Sequence, residues 1–170
     1  MLALLHACKS RHGFEKADKV HSLWADLFGE LTMNSHDMVI SEGLKLIGVE
    51  PEQCRNGGDG SWVAATDLGV LFVRMETTDA FPSVRLTCPI LFMPTGELLA
   101  FYRKLLDLGA RLDGVSIAMD YDIVCINCQN GLDGLSAAAA AELFRRTLKA
   151  AEAVSEYLFN RFPSCRLWTP

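Results

Sequence analysis

Apolar residues recur at three- and four-residue spacing near the start of the chain, at every second position through its middle, and at helical spacing again near its end. Phe14, Ala17, Val20, Leu23, Trp24, Leu27, Phe28 and Leu31 make the first stripe, with Glu15, Lys16, Lys19 and Asp26 outside it. That spacing predicts an amphipathic helix over 14–31. A second helix is expected from Ser35 to Ile47, with Asn34 as its cap, Asp37 three residues on, and Gly48 as its stop. Val49–Gly60 reads as a loop by its Pro, Asn and Gly content. The period then becomes two. Ser61–Ala65 and Gly69–Glu76 flank Thr66-Asp67-Leu68 as a hairpin. Leu71, Val73 and Met75 share one face of its second strand; Val70, Phe72, Arg74 and Glu76 share the other. Thr77–Pro82 is a turn, and Ser83–Cys88 alternates again up to Pro89, which calls for an edge or a bulge.

The next stretch, MPTGELLAFYRKLLDLG (Met93–Gly109), predicts a central helix with Thr95 as N-cap, Glu97 in the first turn and Gly109 as its stop. Leu98, Leu99, Phe101, Tyr102, Leu105, Leu106 and Leu108 cover roughly half its circumference, wider than the stripe of about 100° that one core needs. Two readings follow. Either the helix is wedged deep in its own domain, or its second apolar surface is a subunit interface. Strands at Gly114–Met119 and Tyr121–Cys128 are expected around a turn at Asp120, with Asn130–Gly134 breaking the sheet. The last helix runs from Ser136 to Phe162 and stops at Pro163; the closing SCRLWTP reads as a mobile tail, with Leu167 and Trp168 as the candidates to dock. Strands in runs, in the order α-α-β-β-β-α-β-β-α, predict an α+β fold on an antiparallel sheet. Its domains are a helical extension, 1–34, and a single domain, 35–170.

With 170 residues the chain can bury a core without staples. It is half hydrophobic with mean hydropathy +0.18, yet has no apolar run long enough to cross a bilayer. The net charge of -5 argues against a nucleic-acid partner, which needs a basic face. The start, MLALLHACKSRHGF, is interrupted too soon by Lys9, Arg11 and His12 for a signal peptide. Cys8, Cys54, Cys88, Cys125, Cys128 and Cys165 follow no small-scaffold rhythm and read as reduced cytosolic thiols.

Chemistry is scarce. Cys125-Ile-Asn-Cys128 is a C-x-x-C, but it lies in a strand pattern, where residues three apart point to opposite faces. No second C-x-x-C completes a zinc site. His6, His12, His21 and His36 are not spaced as metal ligands. Arg55–Gly60 is glycine-rich but precedes a strand and lacks a P-loop lysine. Asp120 and Asp122 suit a turn better than paired acid catalysis. No catalytic residue, metal or cofactor is expected.

GLKLIGVEP (Gly43–Pro51), GVLFVRME (Gly69–Glu76), FMPTGELLAFYRKLLDLGARLDGVSIAMD (Phe92–Asp120) and DIVCINCQNGLDGLS (Asp122–Ser136) together resemble the class I type III secretion chaperones, the CesT-like Tir-chaperone family. The resemblance spans 35–162 and is carried by pattern, not by a signature motif. It implies a cytoplasmic homodimer that binds the N-terminal segment of a secreted effector and keeps it competent for export. The dimer would use the central helix and the strand after it, with Leu98, Leu99, Phe101, Tyr102, Leu105, Leu106, Val115 and Ile117 as candidates. Val39, Leu44, Val70 and Phe72 are the candidate effector contacts, since both faces of the second strand are apolar. The alternative is a regulatory or sensory domain of related fold, YbjN-like, with no client. An enzyme built on Cys125 or Cys128 would instead need an exposed thiol of low pKa.

Overall fold

Ser136 accepts a hydrogen bond from the Ala139 amide at 3.2 Å and so starts the longest described helix, Ala137–Arg161. The computed structural model describes residues 35–56, 60–76 and 81–168, all within one unit, Ser35–Pro170. The expected helix Phe14–Leu31 and the extension 1–34 lie outside the described residues. The elements are α1 (Ser35–Lys45), α2 (Pro51–Cys54), β1 (Ser61–Thr66), β2 (Gly69–Glu76), β3 (Ser83–Phe92), α3 (Leu98–Gly109), β4 (Ser116–Asp120), β5 (Ile123–Gly131), α4 (Ala137–Arg161) and β6 (Arg166–Leu167).

Several boundaries differ from the sequence reading, each for a local reason. α1 ends at Lys45, and the chain turns through Gly48 at φ +82°, a conformation that suits glycine. The expected loop holds α2, whose Pro51 fills a first-turn position where no amide hydrogen is needed. α3 starts at Leu98. Glu97 is therefore its N-cap, in the left-handed region at φ 56° and without a side-chain cap, and Thr95 lies outside the helix. β3 runs four residues past Cys88 because a bulge between Pro89 and Leu91 absorbs the proline. β5 continues to Gly131. Tyr121, at φ 55°, makes the tight turn into it.

The sheet order is β1-β2-β3-β5-β4, with β6 paired to β3 and every pairing antiparallel. This is the expected α+β architecture. The first three strands form a meander, and α3 then carries the chain over to the β4–β5 hairpin, whose second strand closes onto β3. Register separates the two faces. Trp62, Ala64, Leu71, Val73, Val84, Leu86, Ile126 and Cys128 point to one side, and with Ile40, Leu44, Phe101, Leu105, Phe144, Leu148 and Leu158 they form one core cluster. Burying each large side chain there contributes roughly 1.5–3 kcal/mol. Val63, Phe72, Thr87 and Asn127 form a row on the other side.

A charged pair ties α1 to the segment after α2. Asp37 is buried and accepts from the Arg55 guanidinium, which also lies 5.5 Å over the Trp62 ring. Asp37 thereby anchors Arg55 beside β1; the expected cap, Asn34, lies outside the described residues.

Candidate functional site

The half-circumference stripe of α3 divides in two. Phe101 is fully buried and meets Phe162 edge-on at 5.1 Å. Leu105 is 7% exposed in the same core. Both were candidates for a dimer interface; they are core residues, because the side of α3 that carries them packs on its own chain. Leu98, Leu99, Tyr102 and Leu106 face outward, with Leu99 67% and Leu106 75% exposed. Tyr102 donates to the Met93 Sδ at 3.1 Å, which leaves its ring on the surface. Beside α3 runs β4, the last strand of the sheet order, which among the described residues pairs only with β5. Ile117 is half-buried opposite Ile126, and Val115 is half-buried just ahead of the strand. An apolar helix face next to an open strand edge is the geometry of an association surface.

The four candidate client contacts do not form one patch. Leu44 of α1 is fully buried in the core cluster, so it is core, and Val39 is half-buried against the same core. Val70 and Phe72 lie on the opposite sheet face, both half-buried. The Trp168 ring meets Phe72 edge-on, centroids 6.2 Å apart. Next to them is a cavity of about 190 Å³ lined by Leu68, Val70, Cys88, Ile90, Leu167 and Trp168. From sequence the tail is expected to be mobile, with Leu167 and Trp168 as docking candidates; in the structure Leu167 pairs with Leu91 and Trp168 docks on Phe72, a seat that the apolar pair signals without locating it.

Cys125 and Cys128 diverge as strand geometry requires. Cys125 pairs across from Pro89 and Ala118, and Cys128 across from Leu86. Burial pushes the Cys125 thiol up to about 11, with the nearby Asp120 carboxylate adding to it. Burial likewise takes Cys88 up to about 12. Burial also raises Cys128, against opposing effects of Thr147 and Arg146. These are neutral packing groups at physiological pH, not activated nucleophiles. Among the described residues, no group of three His, Cys, Asp or Glu side chains is placed to hold a metal. No described helix is long and apolar enough to cross a membrane.

No sequence family and no curated protein matches the chain. Among solved structures it is similar to the type III secretion chaperone SycH of Yersinia pestis, crystallised in complex with a stable fragment of YscM2. The TM-score is 0.51 at 15% identity, over 71% of this chain and the whole of that one. The likeness is one of fold: an antiparallel sheet with helices, as in SycH.

Proposed function

We propose that this chain is a type III secretion chaperone that binds the N-terminal segment of a secreted effector and keeps it unfolded for export. It works as a cytoplasmic homodimer, with no cofactor and no catalytic step. The observation that carries this reading is the outward face of α3, Leu98, Leu99, Tyr102 and Leu106, set beside the open edge of β4 in a chain that shares the fold of a secretion chaperone. A two-fold contact through that face brings the same apolar residues together from both subunits. Client segments then add to the remaining sheet edges as extended strands with apolar anchors, with Val70 and Phe72 on the outer face of β2 among the contacts.

Co-expression with the N-terminal segment of a secreted protein encoded beside it tests the function. A soluble complex with an unfolded, protease-sensitive client is the expected product. A stable dimer that captures no such segment would favour a regulatory domain of the same fold.

A further inference from the structure

We propose that the C-terminal segment Arg166–Trp168 is a displaceable strand that occupies the sheet edge where an extended client segment docks. This rests on the chaperone reading above and adds to it a competitor built into the chain.

The pairing pattern of β3 carries the argument. β2 pairs with β3 only from Phe72, opposite Thr87, to Glu76, opposite Ser83. The start of β2 leaves β3 and stays with β1 alone, Val70 against Ala65. On that side of β3, β2 therefore does not serve the stretch from Cys88 to Phe92, while β5 pairs along the other side as far as Phe92. The chain's own tail takes over the vacated edge. Leu167 pairs with Leu91, Arg166 pairs with Phe92, and the Trp168 amide donates to the Ile90 carbonyl at 3.0 Å. Two ring contacts complete the seat: the Arg166 guanidinium 5.3 Å over Phe92, and Trp168 against Phe72. The cavity of about 190 Å³ between the tail and the start of β2 remains beside it.

The buried anchor of the described tail is its root. Phe162 and Cys165 are each 3% exposed, and the Cys165 amide donates to the Phe162 carbonyl. Of the described residues past Cys165, Arg166 to Trp168, none is fully buried, and Leu167 is 50% exposed. A two-residue strand with exposed backbone opens at little cost, unlike the buried strands of the sheet. It also displays the chemistry the edge accepts: an extended segment antiparallel to β3, with a large aliphatic opposite Leu91 and an aromatic ring on Phe72. A client strand of that type adds more pairs and fills the cavity, so it can replace the tail by strand addition.

The probe is a fluorescein-labelled peptide of residues 164–170 with Cys165→Ser, added in trans. A chain ending at Cys165 is expected to bind it at least tenfold more tightly than the full chain, whose tethered tail competes at high effective concentration. Trp168→Ala in the full chain should expose the edge similarly, and Phe72→Ala in the shortened chain should weaken the peptide about tenfold. The client segment that co-purifies with the chain should displace the peptide. Equal binding by both chains, or none by the shortened chain, overturns the proposal. So does loss of the dimer on shortening, which would mean that tails are exchanged between copies. Client capture without peptide displacement overturns it while leaving the chaperone function standing. Failure of both chain forms to capture any client overturns the function, and the competitor role with it, even where the peptide binds.

Discussion

Gly43 of α1 lies so close to Ala140 of α4 that a Cβ on Gly43 would stand 2.9 Å from the Ala140 Cβ and 3.1 Å from the Phe144 ring. Both neighbours are fully buried on a helix that cannot give way cheaply. The crossing of the two helices thus depends on a missing side chain. Gly43→Ala should destabilise the fold by about 1–3 kcal/mol, seen as a lower urea midpoint at unchanged slope. Adding Ala140→Gly should restore most of the loss. An unaffected midpoint in the single variant would show that the helices separate freely.

The division of α3 separates two neighbouring leucines. Leu105→Asp places a carboxylate in the core beside Phe101, at a cost of at least several kcal/mol, and should leave the chain unfolded at room temperature. Leu106→Asp lies on the exposed face and should give a folded monomer, because the two-fold contact we propose would double the charge in one apolar patch. Sedimentation with far-UV circular dichroism distinguishes the two. A wild type that is monomeric at micromolar concentration would remove the dimer from the function.

Arg55 is the partner of a carboxylate that is almost wholly buried, with side-chain exposures of 27% and 8% for Arg55 and Asp37. Arg55→Ala leaves Asp37 without that partner and also loses the stacking on Trp62. The expected destabilisation is roughly 3 kcal/mol, toward the low end for a buried pair because Arg55 is partly wetted. In the double variant Arg55→Ala with Asp37→Asn the loss should shrink, and a double-mutant cycle in urea reads the coupling directly.

The buried thiols should be inert in the native chain. At pH 8, labelling followed by peptide mapping should find Cys88 and Cys125 modified only after unfolding. Their folded-state values of about 12 and about 11 lie above the ordinary 9.0. The unfolded chain therefore loses these protons first as pH rises. The stability they contribute is fully present below pH 9 and declines from there toward pH 11–12. The urea midpoint should fall across that window, and less so in a Cys88→Ala, Cys125→Ala variant. Client capture that survives Cys125→Ser with Cys128→Ser would agree with thiols that only pack.

The period changes along the chain determine the element types, because amphipathic spacing records which side of each element must leave water. Leu71 and Val73 against Val70 and Phe72 already assign the two faces of β2. The divergence of Cys125 and Cys128 follows equally from the two-residue period. Alternation cannot say which strand lies beside which. It left Pro89 as an edge or a bulge, and only the pairing shows a bulge in the central strand. A wide apolar stripe on α3 reveals that there are two surfaces. It does not reveal that Phe101 and Leu105 turn inward while Leu99 and Leu106 stay out, since that depends on Phe162, sixty-one residues beyond Phe101. The Asp37–Arg55 pair, the Gly43–Ala140 approach and the seat of Trp168 on Phe72 are likewise contacts between distant segments. Periodicity carries no record of such contacts, because each is made only once the sheet has assembled.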